Sequence, residues 1–339
     1  MKYYYLGAFP PPYGGVTIKN KILYTKLKEN IAIDKVDLSL VKKKNIKETF
    51  KLCRGLINPN SAYVIGAAGD ARKYLSALLY FINRKSLRRS ILIVMGGDWS
   101  RIIAKDSKYL KWVREYKQIY VETNGMKNEL IDVGINNVSV FPNCREKSKE
   151  MIKIKHQDIK KIRCLFFSLI SKEKGADIVI EASKLLNEKG IDYSIDFYGH
   201  IEAQYQTEFK KQVDRLENVN YCGVFSADQE NVYSKLNKYD VLLFPTRWKA
   251  EGVPGVLVEA KIAGVPAIVS NINFNSEIVE DEKTGFVLNK NTPDVLANAI
   301  ESVYSDRDYL MEMKHDAMIS AESYLYENYI DDIVEMIRR

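Results

Sequence analysis

Short apolar runs alternate with helical patterns along the second half of the chain. Runs rich in β-branched and aromatic residues predict strands at 162–170, 193–199, 219–225, 240–246 and 266–271. The segments between them have helical spacing; in ADIVIEASKLLNEKG, for example, Ile178, Ala182, Leu185 and Leu186 fall near one face. Alternating strands and helices predict a doubly wound α/β domain, in which helices cover both faces of a parallel sheet.

The first half shows the same alternation less regularly, with a predicted helix at 17–30. Its predicted strands are KYYYLGAF (2–9), AYVIGA (62–67), SILIVMGG (90–97), QIYVET (118–123) and VSVFPN (138–143). We expect an N-terminal Rossmann-like domain at 1–145, a charged linker at 146–160 and a C-terminal Rossmann-like domain at 161–319. The segment 320–339 has apolar residues near one helical face and predicts a C-terminal helix.

Length and composition support this division. A chain of 339 residues exceeds one typical core, so two domains facing a cleft are expected. With 46% hydrophobic and 28% charged residues, the composition excludes disordered, collagen-like and disulfide-scaffold classes. The cysteines and histidines are scattered without metal-site or disulfide spacing. No apolar run resembles a signal peptide or a membrane span, so a cytoplasmic location is the default expectation.

Charge is distributed very unevenly along the chain. Residues 1–160 hold 31 Lys and Arg against 14 Asp and Glu, a net charge of +17, which leaves −10 for residues 161–339 out of the total of +7. A strongly basic half suggests an anionic neighbour: nucleic acid, anionic lipid or a phosphorylated substrate. The alternative is a lysine-rich surface without a specific partner. Nucleic acid is not favoured, because no recognised binding module or interleaved aromatic motif is present.

Candidate chemistry centres on FPTRWKAEGVPGVLVEAKIAGVP (244–266), which places two glutamates in an otherwise apolar stretch. Ligands of open parallel sheets bind beyond the carboxyl ends of the strands, where this segment begins. Pro254 fits the first turn of a helix, which would leave open the amides of Gly255, Val256 and Leu257. Such a helix terminus suits a diphosphate. Glu251 and Glu259 could then accept hydroxyl groups at the two ends of a nucleoside diphosphate sugar.

Together with FPT, EG, PG, EA, AGVP and a TGF turn at 284–286, this segment resembles the E-x7-E element of retaining glycosyltransferases of family 4 (group 1), which have the GT-B architecture. The resemblance implies that Glu251 approaches the donor sugar and that Glu259 holds the nucleotide ribose. It also places Gly252 and Pro254 in the donor site. In such enzymes the last helix returns to the first domain, which the resemblance implies for 320–339.

The similarity also covers PPYGG (11–15), 121–143 and 173–182, and it is closest to a bacterial subset that builds capsule, O-antigen or exopolysaccharide repeat units. In that subset the glycine pair, here Gly14 and Gly15, lets the backbone approach the donor phosphate and the acceptor. A tight turn is the alternative explanation of an isolated glycine pair.

Two positions depart from the family pattern. The loop after the first C-domain strand keeps Lys174, implied as a catalytic contact to the diphosphate, but has Leu169 where an arginine is usual. We expect Arg247 or Lys249 to replace that arginine. A histidine common in the N-domain is also absent, and Asp98 is the candidate acceptor-side carboxylate, with a helix cap or turn residue as the alternative.

No metal or other cofactor is expected, because the one D-x-D sequence, 306–308, falls in a polar helical tail. The segment 72–89 has an apolar stripe (Tyr74, Leu75, Leu78, Leu79 and Ile82) and a basic end. It suits either docking on a membrane surface or ordinary packing in the core.

The resulting hypothesis is a retaining glycosyltransferase that moves a sugar from a nucleotide donor to a lipid-linked saccharide in cell-surface polysaccharide synthesis. Its basic N-domain would contact an anionic membrane at the inner face of the cell membrane. Two alternatives remain open: a catalytically impaired partner subunit, suggested by Leu169, and a sugar-nucleotide epimerase of the same architecture. Sugar, base, linkage and oligomeric state are not specified by the sequence.

Overall fold

The computed structural model describes residues 1–11, 14–148, 152–154, 161–226 and 230–339. The chain divides into two compact units. Unit 1 comprises Met1–Cys144, Ala250–Val253 and Tyr326–Arg339, and unit 2 comprises Arg145–Lys249 and Pro254–Leu325. Most of the predicted linker at 146–160 lies outside the described residues.

Unit 1 is built on a parallel sheet that, within the described part of the chain, has six strands in the order β2-β1-β3-β4-β5-β6. Its strands are β1 Lys2–Gly7, β2 Ile33–Asp37, β3 Ser61–Gly66, β4 Ile91–Ile93, β5 Gln118–Val121 and β6 Val138–Val140. Its first helices are α1 Gly15–Asn30, α2 Leu38–Lys42, α3 Ile46–Ile57, α4 Gly69–Ile82, α5 Arg84–Leu87, α6 Trp99–Ala104, α7 Ser107–Val113 and α8 Asn124–Asp132.

Unit 2 repeats this design, again with six described strands, in the order β12-β11-β10-β7-β8-β9 and all parallel. The strands are β7 Ile162–Phe167, β8 Tyr193–Tyr198, β9 Val219–Tyr221, β10 Val241–Phe244, β11 Ala267–Ser270 and β12 Gly285–Leu288. The helices are α9 Ala176–Glu188, α10 Gln206–Val213, α11 Val232–Leu236, α12 Gly255–Ile262, α13 Asn275–Ile278, α14 Pro293–Ser305 and α15 Arg307–Ser320. Apolar side chains of α9 pack on the sheet, as the helical spacing predicts, and α14 packs against α9.

The C-terminal segment differs from the predicted single helix. Residues Ala321–Tyr324 and Tyr326–Asn328 form 3-10 turns, and the last helix, α16, spans only Ile330–Arg338. The prediction that a helix begins at residue 320 is therefore wrong. Tyr326, Ile333 and other apolar residues of this segment are buried in the core of unit 1, where α16 contacts α1.

Among the described residues, no helix combines the length and the apolar character that crossing a bilayer requires.

Candidate active site

The carboxyl ends of β7 and β10 lie side by side in unit 2 and bring Lys174 next to the segment that follows β10. The amide of Lys174 donates to Ser171 Oγ at 3.2 Å. Its Nζ lies 6.0 Å from the ring centroid of Phe244 and 5.8 Å from that of Trp248. The ammonium group is therefore held over an aromatic pair at the edge where parallel sheets bind ligands.

Gly175 allows this close approach. It precedes α9 with a φ of +80°, and a Cβ atom at this position would lie 2.1 Å from the carbonyl oxygen of Pro245. Any other residue would separate the two loops, because both the backbone conformation and the space require glycine. The Lys-Gly pair thus fixes where α9 begins relative to the end of β10.

Arg247 joins the same two loops. Its guanidinium forms a two-pronged contact with the carboxylate of Asp177, with an Nη1–Oδ1 distance of 2.8 Å, and Nη1 also donates to the carbonyl of Lys172 at 2.7 Å. Arg247 thus anchors the start of α9. Leu169, at the position where the family pattern has arginine, is 45% exposed, and Lys249 is also exposed.

The glutamate-containing segment continues into α12. This helix begins at Gly255, so Pro254 is its N-cap residue rather than part of its first turn. The amide of Leu257 donates to the carbonyl of Pro254 at 3.1 Å and is therefore engaged. The amides of Gly255 and Val256 donate to no described residue, so two of the three amides predicted to be open remain available at the positive end of the helix.

Glu259, one turn into α12, is paired with a residue that the sequence analysis assigned to the end of the first domain. Arg145 donates from Nε to Glu259 Oε1 at 2.8 Å, and the side chains are 7% and 19% exposed. The Arg145 guanidinium also crosses Gly255, since a Cβ atom there would lie 1.7 Å from Arg145 Nη2. The Arg145 side chain thus lies along the first turn of α12, from Gly255 to Glu259.

The segment Ala250–Val253, which carries Glu251, belongs to unit 1. The amide of Gly97 donates to the carbonyl of Ala250 at 3.4 Å. A Cβ atom at Gly97 would lie 2.1 Å from the carbonyl oxygen of Glu251. The glycine pair that ends the predicted strand 90–97 therefore provides the space in which the backbone carrying Glu251 lies.

A buried ion pair fixes the end of that segment. Glu122 accepts a hydrogen bond from Lys19 Nζ at 2.5 Å and another from the amide of Val253 at 3.0 Å. Asn143 donates to the carbonyl of Val253 at 2.8 Å. Lys19 and Glu122 are almost fully buried, so each charge depends on the other. Neither residue was predicted to belong to the site; the available signal was an acidic residue directly after the buried strand β5.

Asp98 and the first glycine pair also lie in unit 1. Asp98 is the N-cap residue of α6 and is half-buried, but its side chain makes no capping hydrogen bond. Gly14 and Gly15 begin α1, and a Cβ atom at either position would meet no atom within 4 Å. Packing therefore does not explain this glycine pair. Pro12 and Tyr13 of the same motif lie outside the described residues.

The structure thus divides the predicted site residues between the units. Unit 1 holds Gly14, Gly15, Asp98, Glu251 and Gly252; unit 2 holds Lys174, Arg247, Pro254, Gly255, Val256, Leu257 and Glu259. In the described part of the chain, no group of three or more His, Cys, Asp or Glu is arranged to hold a metal ion. Asp306, from the D-x-D sequence, accepts a hydrogen bond from the Tyr309 amide and caps α15.

A family model described as glycosyl transferases group 1 matches residues 147–320. The amylovoran biosynthesis glycosyltransferase AmsK of Erwinia amylovora is 27% identical over 218 residues, which cover 62% of this chain and 50% of AmsK. A UDP-Gal:alpha-D-GlcNAc-diphosphoundecaprenol alpha-1,3-galactosyltransferase of Escherichia coli is 28% identical over 181 residues, covering 50% of this chain and 46% of that protein.

Among solved structures, Anabaena Alr3699/HepE in complex with UDP and glucose superimposes with a TM-score of 0.73 at 15% identity, covering 100% of this chain and 99% of that one. At this identity the likeness concerns the fold. The chain spans about half the length of the curated relatives that it matches.

Proposed function

Because the chain belongs to the glycosyl transferases group 1 and has the two-unit α/β fold of GT-B proteins, we propose that it transfers a sugar from a nucleoside diphosphate sugar to a saccharide hydroxyl. The acceptor would be a lipid-linked oligosaccharide of a bacterial cell-surface polysaccharide, such as a capsule or O-antigen. The named activity of the E. coli relative, which uses a diphosphoundecaprenol-linked acceptor, supports this choice.

The main support for this proposal is the start of α12 and the residues around it. Its open amides at Gly255 and Val256 form a positive helix end for the diphosphate. Lys174 would add a positive charge to the leaving group, and this stabilisation needs no metal ion. Glu259 would bind the ribose hydroxyls and Glu251 the donor sugar. The resemblance of this E-x7-E element to that of retaining enzymes supports transfer with retention of configuration.

Donor binding can be tested by thermal unfolding in the presence of UDP, GDP, TDP and their glucose derivatives. A ligand that binds only the folded protein raises the Tm by mass action. We expect one base to raise the Tm and Glu259→Ala to weaken its binding about 10- to 100-fold, because hydrogen bonds to a charged group are lost. Glu188→Ala, an exposed change at the end of α9, is the matched control. Unchanged binding in Glu259→Ala would contradict the assignment.

Activity measurements distinguish sugar transfer from the two alternatives, a partner subunit and an epimerase. We expect Glu251→Gln and Lys174→Ala to lower kcat with folding intact, the anomeric configuration of the product to match the donor, and EDTA to have no effect. Nucleotide binding without transfer would favour the partner-subunit alternative, for which the exposed Leu169 is the specific observation. A changed sugar nucleotide without an acceptor product would indicate an epimerase.

We further propose that unit 1 contacts an anionic membrane at the cytoplasmic face, where a lipid-linked acceptor would be located. Residues 38–89 hold 12 Lys and Arg against 2 Asp and Glu, a net charge of +10. The same segment contains α3 and α4, which contact each other. Charge of this density attracts anionic lipid by about 1 kcal/mol for each basic residue near the surface.

Exposed apolar side chains on α3 and α4 distinguish this surface from a merely basic one. The stripe predicted at 72–89 divides: Leu75 and Leu79 are buried in unit 1, whereas the other face of α4 is open to solvent. The exposed residues, which we call the α3–α4 surface, are Ile46, Phe50, Ile57, Tyr74, Leu78, Phe81 and Ile82. Phe81 is 73% exposed although its ring meets Trp112 edge to face, with centroids 5.7 Å apart. Exposed apolar side chains in a basic segment are typical of a surface that docks on a bilayer interface.

Vesicle flotation tests this contact with the full chain. We expect binding to vesicles containing phosphatidylglycerol, weak binding to phosphatidylcholine alone, and a loss of about tenfold or more in Phe81→Ser/Ile82→Ser. Lys43→Gln/Lys47→Gln should reduce binding mainly at low salt, because those charges are screened. Ile319→Ser, on α15 and 68% exposed, is the apolar control. Equal binding of all variants, or preference for RNA over vesicles, would overturn the proposal.

A further inference from the structure

Arg145 occupies an unusual position for a cation. Its backbone amide donates to the carbonyl of Tyr324 at 2.8 Å, and its side chain is 7% exposed. The guanidinium extends from Glu259 to Gly255, the first residue of α12. The first turn of a helix is the positive end of its dipole and repels a cation. Burial of an arginine at this end of the helix is therefore unfavourable unless another interaction compensates for it.

The ion pair with Glu259 compensates for this unfavourable position, and it also suggests what Arg145 does. A buried carboxylate without a partner is costly, and a flexible one would lose side-chain entropy on binding a ligand. The Arg145 Nε–Oε1 bond fixes one oxygen of Glu259 and leaves the second to accept further donors. Ribose hydroxyls need such an acceptor in a defined orientation.

Gly255 provides the space in which the Arg145 guanidinium lies. A Cβ atom 1.7 Å from Arg145 Nη2 would displace the guanidinium from the helix start. The glycine at 255 is therefore explained by the arginine that crosses it, in addition to its amide at the helix terminus. Arg145, Gly255 and Glu259 all lie in unit 2, so this arrangement is internal to that unit.

We propose that Arg145 is the positioning residue of the donor site: it orients the Glu259 carboxylate toward the nucleotide ribose and thereby sets the preference for ribonucleotides. This inference rests on the proposed function, because it assumes that Glu259 binds the ribose. It assigns a role to a residue that lies outside the E-x7-E element and 114 positions before Glu259 in the chain.

The test compares UDP with 2′-deoxy-UDP by calorimetry on the wild type, Arg145→Ala, Arg145→Lys, Glu259→Ala and the double alanine variant. If UDP is not bound, GDP and 2′-deoxy-GDP replace the pair. We expect the wild type to prefer the ribonucleotide about tenfold, equivalent to about 1.4 kcal/mol. Arg145→Ala should abolish the preference as Glu259→Ala does, and the double variant should lose nothing more. Arg145→Lys should retain part of it, since charge remains without the planar fork.

The possible failures are distinguishable. A preference that persists in Arg145→Ala but is lost in Glu259→Ala would overturn the role of Arg145 alone. If Arg145→Ala weakens UDP binding but keeps the preference for UDP over 2′-deoxy-UDP, Arg145 acts on the diphosphate. That result would likewise overturn the proposal. If the folded wild type binds none of UDP, GDP and TDP, the proposed function itself falls. Binding of TDP alone, which lacks the 2′-hydroxyl, would overturn the ribose preference and leave the proposed function intact. Far-ultraviolet circular dichroism of each variant shows whether it is folded, and Arg145→Lys preserves the test if Arg145→Ala unfolds.

Discussion

Lys261 lies on α12 two residues after Glu259, and its ammonium group is enclosed by the protein. It donates to Ser320 Oγ at 2.6 Å and to Thr284 Oγ1 at 3.3 Å, and it lies 6.0 Å from the ring centroid of Tyr324. Burial lowers the pKa of Lys261 to about 8, although the nearby charge of Glu280 acts in the opposite direction. The back of α12 is therefore sensitive to pH in a range where most lysines stay charged.

This shift predicts a pH dependence of stability. The folded-state pKa lies below the unfolded value of 10.5, so the unfolded chain holds the proton more tightly between the two values. The free energy of unfolding should then rise with pH from about 8 to 10 by up to about 1.4 kcal/mol per pH unit relative to a Lys261→Met variant. Urea denaturation of both proteins at several pH values in this range measures the difference. Identical slopes would contradict a titrating Lys261.

At the scale of elements, the sequence pattern located the strands that lie within an apolar or aromatic run. The ten predicted strands coincide with observed strands, including β6 and β9 at one edge of each sheet. The edge strands β2 and β12 were missed. β2 has the sequence IDKVD and lies at the edge of its sheet, where charged residues can be exposed. It therefore lacks the apolar run that is typical of an inner strand. β12 begins at Gly285, within the residues 284–286 that were interpreted as a turn.

The candidate site was predictable only as far as its members are close in sequence. The loop and helix at 251–259 could be located because strand, helix start and carboxylates follow one another. Arg145 and Glu122 could not, because their partners lie 114 and 131 positions away and a single charged residue after a strand has many possible contacts. Arg247 or Lys249 was expected to replace the missing phosphate-binding arginine. In the structure the Arg247 guanidinium contacts Asp177, a partner that the sequence does not specify.

At the scale of the whole molecule, the final residues belong to the core of the first unit. Tyr326, Ile333, Val334 and Ile337 are at most 5% exposed, and Phe141 packs on Tyr326 with centroids 6.0 Å apart. Each large apolar side chain contributes about 1.5–3 kcal/mol when buried. Their sum is comparable with the entire stability of a typical domain, about 5–15 kcal/mol.

Removal of residues 326–339 should therefore prevent unit 1 from folding while the core of unit 2 persists. Differential scanning calorimetry should show the loss of one transition, and limited proteolysis should degrade residues 1–144 preferentially. Removal of Arg339 alone is the control, because it eliminates only an exposed ion pair with Glu335, which contributes little. A truncated protein that keeps both transitions would show that the terminal segment is dispensable.

The interleaving of the two units also has a consequence during synthesis on the ribosome. Domains usually fold in the order in which they are made. Here every residue assigned to unit 2 has been polymerised by Leu325, while unit 1, although begun first, still lacks Tyr326–Arg339. The N-terminal unit can complete its core only after residues Tyr326–Arg339 have been polymerised and have left the exit tunnel. The first unit to be begun is therefore the last to be completed, and until then the apolar surface of its unfinished core is exposed to misfolding and aggregation.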